Sequence, residues 1–168
     1  MSLSMYQASV PVFIHMLDNL SAILGKAASH AETKKIEPDV LLNARLAPDM
    51  LPLSFQLRMA CESAKYCATQ LAGMEPTQQP DTETTFADWQ ARITKTIDFL
   101  KSLDAAQIDG SEERTVIIKM RTQEMRFQGQ PFLLTFSLPN FYFHLTTAYA
   151  ILRHNGLDIG KMDFLGRR

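Results

Sequence analysis

The sequence predicts an all-α fold, a four-helix bundle with a small β-hairpin inserted before the last helix. Three observations carry this. Apolar residues recur at helical spacing in three separate stretches, each with its own start and stop signals. A fourth stretch, PFLLTFSLPNFYFHLTTAYAILRHNG (Pro131–Gly156), is long, apolar and aromatic enough to be the element the others pack against. Only one segment, beginning at Thr115, turns to the β-branched composition of a strand. Helices joined by short links around one core make a bundle.

The first helix is signalled by Ser4 and Gln7, spaced as a capping box. Val10, Phe13, Leu17, Leu20, Leu24 and Ala27 then form a stripe out to about His30, and Pro11 requires the helix to start late or to bend there. His15 lies beside Asp18 and Asn19, off the stripe, and reads as a surface or interface residue. Ala31–Leu51 is a connector with a short helical turn through Val40–Asn43. It leads into the bundle and is placed either to be solvated or to roof a cavity. Pro52 suits the first turn of the second helix. Leu53, Leu57, Ala60, Ala64, Cys67 and Leu71 give its stripe, which Gly73 and Pro76 end. The run EPTQQPDTET is a polar linker with little to bury. Thr85 with Asp88 caps the third helix, whose buried face is Phe86, Trp89, Ile93, Ile97, Leu100 and Leu103; Asp88, Arg92, Lys95, Asp98 and Lys101 read as its solvated side. Thr115–Lys119 pairs with Met125–Phe127 as a hairpin that must rest on the helices. In the fourth helix Pro139 predicts a bend just before Asn140. Asn155-Gly156 ends that helix, with Arg153 and His154 complementing its dipole. The tail keeps enough apolar residues, Phe164 and Leu165 among them, to dock on a neighbour.

Composition narrows the function. A chain of 168 residues can bury a core as one domain spanning 1–168. Its 17 basic and 18 acidic side chains leave no basic excess to neutralise phosphates, so nucleic acid is not an expected partner. The N-terminus lacks the basic and apolar regions of a signal peptide, and no apolar run reaches the roughly 18 residues of a membrane span. Cys61 and Cys67 match neither a C-x-x-C redox pair nor a zinc ribbon; they read as small buried hydrophobes in a reducing, cytoplasmic compartment.

The candidate site lies on the fourth helix. Asn140 and His144, four residues apart, share one face, and the row continues to Thr147 and Ile151. An amide and an imidazole aimed into a bundle must be hydrogen-bonded, ligated or wet. Gln56 falls on the stripe of the second helix, either as a boundary residue reaching a loop carbonyl or as part of the same inner space. No Ser/His/Asp triad, glycine-rich phosphate loop or paired-carboxylate signature offers another chemistry.

The element order, the segment LLNARLAPDM (Leu41–Met50), the ending LPNFYFHLTTAYAILRHNG (Leu138–Gly156) and the Ser4–Phe13 opening resemble the DinB/YfiT-like superfamily of metal-dependent bundles, and within it a branch of uncharacterised function. The resemblance spans nearly the whole chain. It implies that metal-binding members use three histidines, one from the second helix and an H-x-x-x-H pair on the fourth. The corresponding positions here are Gln56, with Asp49 nearby in sequence, and the pair Asn140 and His144. Two of the three imidazoles are missing, and zinc or nickel favours imidazole and thiolate over a neutral amide.

The expectation is therefore a bundle with a polar ligand pocket of Asp49, Gln56, Asn140 and His144 on the inner face of the second and fourth helices. It takes a small-molecule ligand, and a divalent metal at His144 is the candidate cofactor. The alternative is a metal-dependent, transferase-like enzyme using His144 as ligand or general base. Apolar residues off the stripes (Met5, Met16, Phe55, Met59 and Phe141) predict a homodimer.

Overall fold

The fold is built on four long helices. In the computed structural model these are α1 (Val10–Lys34), α3 (Leu53–Leu71), α4 (Phe86–Lys101) and α7 (Leu138–His154). The described residues are 3–77, 79–119 and 122–166, so Gln78 of the linker and the last two arginines of the tail lie outside them. Short helices α2 (Pro38–Leu42), α5 (Ala105–Ile108), α6 (Gly129–Pro131) and α8 (Lys161–Leu165) fill the connections. A two-stranded antiparallel hairpin, β1 (Thr115–Lys119) with β2 (Glu124–Gln128), precedes the last long helix and pairs Ile117 with Arg126. Among the described residues no helix is long and apolar enough to cross a membrane.

Packing follows the stripes. The longest shared faces are α3 against α7 and α1 against α4. Phe13 of α1 meets Phe141 of α7 edge to face, with ring centroids 4.9 Å apart, at the middle of the core. Met5, Met16 and Phe141 are buried within the chain's own core. Three of the five residues that predicted a partner copy are thus covered internally. The tail docks as expected: α8 lies on α1, where Asn19 Nδ2 donates to the Phe164 carbonyl at 3.0 Å and His15 Nε2 lies 2.9 Å from that of Leu165.

Three local expectations are corrected. The Ser4 and Gln7 hydrogen bonds form, but they close a turn over residues 5–9, and α1 begins only at Val10 with Pro11 in its first turn. The irregularity expected before Asn140 is a π-helical path over Phe132–Ser137; the chain resumes the α form at Leu138, which puts Pro139 in the first turn of that stretch. Arg92, read as solvated, is only 3% exposed.

The remaining boundaries match their signals. Thr85 and Asp88 form a reciprocal capping box at α4. Gly73 takes a positive φ of 67° after α3, a conformation that favours glycine. Gly129 starts the last helical run at a close approach: a Cβ there would lie 2.0 Å from the Ser111 carbonyl oxygen.

Candidate functional site

The inner row of α7 contains His144, Thr147 and Ile151, all buried. His144 faces Gln56 across the α3–α7 interface, with Nδ1 2.8 Å from Gln56 Oε1. The other end of that carboxamide is fixed as well, since Gln56 Nε2 donates to the Leu51 carbonyl at 3.0 Å. This bond sets the orientation of the amide. Its oxygen is an acceptor, so the proton on His144 sits on Nδ1 and Nε2 keeps its lone pair. Phe55 and Phe143 stand edge-on around the ring, at centroid distances of 6.2 and 5.3 Å. Burial lowers the imidazole's pKa below its ordinary value, which keeps the ring neutral at pH 7. Gln56 therefore does both things expected of it: it reaches a loop carbonyl and it shares an inner space with His144.

The other two residues lie elsewhere. Asp49 is exposed on the connector, where the loop instead closes through Arg45 Nη1 donating to the Met50 carbonyl at 2.8 Å. Asn140 is half-buried, and its side chain makes no hydrogen bond among the described residues. It stands at the edge of the buried face of α7, one turn before His144. Its side chain lines a cavity of about 670 Å³ that includes neither Gln56 nor His144 in its walls.

That cavity is bounded by one face of α3 (Arg58, Glu62, Lys65, Thr69), by Arg92 and Thr96 of α4, and by the π-helical segment through Ser137. Its roof is the linker, through Pro76, Thr77, Gln79 and Asp81. The run read as having little to bury thus covers this cavity. Arg92 holds it there: its guanidinium bonds Glu83 at 2.9 Å, Asp81 at 3.2 Å and Glu62 at 2.8 Å. Asp81 also pairs with Arg58. Some burial opposes ionisation of Asp81, but the two arginines outweigh it and hold its carboxyl below the ordinary range. Sequence reasoning missed this network. Its one available signal was the acidic content of PDTE ahead of an arginine on α4. The thiols of Cys61 and Cys67 are pushed up to about 12 by burial, against hydrogen bonds from Thr96 and Ser137.

Comparison with known proteins identifies the branch. Residues 5–165 match the model of a family described as a domain of unknown function, DUF1993. The chain belongs to this family. A crystal structure of a DinB family member from Shewanella denitrificans is 40% identical and superposes with a TM-score of 0.88, covering 97% of this chain and 92% of that one. Comparison with functionally curated proteins finds no match. The DUF1993 chain is thus a DinB-like bundle, and the resemblance read from its motifs holds at the level of family and fold.

A three-imidazole metal centre does not fit the residues of this DUF1993 chain. His144 supplies the only imidazole at the corresponding positions, and its Nδ1 is engaged by Gln56. Asn140 makes no hydrogen bond to it, and Asp49 is exposed on the connector. No group of three or more His, Cys, Asp or Glu side chains among the described residues is placed to hold a metal ion. A carboxamide whose oxygen already accepts N–H and whose nitrogen already donates has little left to offer a cation.

Proposed function

We propose that this DinB-like chain is a small-molecule-binding bundle that has given up the three-imidazole metal centre. Its ligand sits beside Asn140, in the cavity that α3 and the start of α7 enclose. The cavity itself carries the reading. At about 670 Å³ it falls within the roughly 300–1,000 Å³ range of small-molecule sites, and it sets an aromatic side, Tyr66 and Phe136 among it, against a polar and charged one. The Gln56–His144 pair one turn further on is the lock that sets α7 against α3. The test is a set of amide NMR spectra recorded with a mixture of small organic fragments. Shifts concentrated at residues 58–69, 92–96 and 137–140 are expected. Fragments that bind only elsewhere, or none that binds, would refute the reading.

One observation favours a second reading, an enzyme using His144 as general base or metal ligand. The ring is neutral, oriented through Nδ1, and carries an unused lone pair on Nε2. Metal analysis after addition of zinc, manganese or nickel separates the two. One equivalent bound and lost in His144→Ala would favour the enzyme. A homodimer is the assembly we propose, supported by the exposed Phe143 and Leu51 around the pair; light scattering that gives a monomer at micromolar concentration would remove it. A cytoplasmic location is in keeping with two free, buried thiols.

A further inference from the structure

The cavity's hydrogen-bonding groups are unevenly used. Both carboxylates in its wall, Glu62 and Asp81, are taken by arginines. The donors are not all taken. Lys65 forms no ion pair among the described residues; its ammonium reaches only the Thr77 carbonyl, at 3.2 Å, and the Phe99 ring, at 5.6 Å. Arg58 Nε is buried without an acceptor. The Asn140 side chain makes no hydrogen bond among the described residues. With Glu83, which Arg92 also holds, three carboxylates face three cations, but all three carboxylates are taken by the arginines, and Lys65 is left without an ion pair. Among the described residues Arg58 Nε is the one buried donor of this wall without an acceptor, and the half-buried Lys65 and Asn140 have hydrogen-bonding capacity to spare. Burial and the neighbouring cations Lys95 and Arg92 lower the pKa of Lys65, as expected of an ammonium that lacks a counter-ion.

The apolar part of the wall is aromatic. The π-helical turn stacks Phe132 and Phe136 with an interplanar angle of 21° and centroids 6.0 Å apart, and Tyr66 meets Phe132 edge-on at 6.3 Å. Met59 and Ile118 complete that side. Flat stacked rings favour a flat, apolar guest.

We infer that the cavity binds a small aromatic monocarboxylate, its carboxylate received by Lys65 and Asn140 and its ring laid against Phe136 and Tyr66. The inference rests on the cavity being the ligand site, and it adds the charge and shape of the ligand. A carboxylate gives Lys65 the counter-ion it lacks, accepts from more than one donor at once and leaves the Arg92 network intact.

Titration calorimetry of the full chain with phenylacetate, benzyl alcohol and benzylamine tests it. Phenylacetate is expected to bind at least tenfold more tightly than the other two. Lys65→Gln should weaken it tenfold or more, Lys65→Arg should restore most of the affinity, and Lys95→Gln should change it less than threefold. Amide NMR on each variant checks that the fold is kept. Benzylamine or benzyl alcohol binding as tightly as phenylacetate would overturn the ligand class while leaving the cavity as the binding site. Equal affinity in Lys65→Gln and the parent chain would overturn the role of Lys65 and, with it, the inference. If none of the three binds at millimolar concentration, the inference fails; if the fragment mixture also gives no shifts, the reading of the cavity as a ligand site fails with it.

Discussion

Gln56→Leu is the perturbation whose cost can be worked from the structure. Gln56 is 2% exposed and makes two hydrogen bonds, accepting from His144 Nδ1 and donating to the Leu51 carbonyl. Leucine keeps the shape and removes both. Two groups are then stranded in a region where water reaches them poorly. Each unsatisfied buried group costs about 1–3 kcal/mol. Leucine recovers about 1 kcal/mol by placing more apolar surface inside. The net is a loss of about 1–5 kcal/mol, and in a domain of this length each kcal/mol moves the midpoint by about 2–4 °C. A drop of at least about 2 °C in Tm, and about 9 °C at the centre of that range, is expected by calorimetry or circular dichroism. The double variant Gln56→Leu with His144→Leu leaves only the Leu51 carbonyl unpaired, so its loss should fall short of the summed single losses by about 1 kcal/mol or more. A Gln56→Leu melt within a degree of the parent chain, or strictly additive losses, would refute the claim that the pair locks α7 to α3.

Three further outcomes follow from the same geometry. Because burial lowers the folded-state pKa of His144 below 6.5, the unfolded chain binds the extra proton first as pH falls; that part of the stability is whole above about pH 6.5 and is lost between there and the folded pKa. Urea midpoints for the parent chain and His144→Leu should therefore converge from pH 7.5 to pH 5, and parallel curves would contradict the assignment. Arg92→Leu strands Glu83, whose side chain is 7% exposed, and should cost about 3 kcal/mol and free the linker to proteolysis; an unchanged urea midpoint would show that the network holds nothing. Cys61 and Cys67, buried and with pKa values near 12, should react with a thiol reagent only as fast as the chain unfolds, and rapid labelling under native conditions would place them nearer the surface.

Local chemistry accounts for what the sequence disclosed. Thr85 and Asp88 cap a helix because their oxygens satisfy its first N–H groups, and that requires nothing distant. The β-branched run at Thr115 and the positive-φ glycine after α3 are equally local. The facing of Gln56 and His144 was also legible, since each interrupts an apolar stripe and two such interruptions on neighbouring helices tend to find each other. Long-range contacts hid the rest. Arg92 reads as solvated from its own helix; only the folded linker brings Asp81 and Glu83 to it and buries it. Asn140 and His144 do lie one turn apart on regular α7, but a turn advances about 5.4 Å along the axis, so Asn140 meets the cavity at one level while His144 meets Gln56 at the next. Ser4 and Gln7 form their box, but Pro11 delays the helix and the box closes a turn instead.

The claim beneath all of this is that a carboxamide, not a metal ion, holds the one inward-facing imidazole of α7. Nitrogen-15 NMR of the His144 ring at pH 7.5, before and after one equivalent of zinc, reads this directly. A proton on Nδ1, a bare Nε2 and the same two resonances after zinc is the predicted result. A stoichiometric displacement of either ring nitrogen by zinc would contradict it.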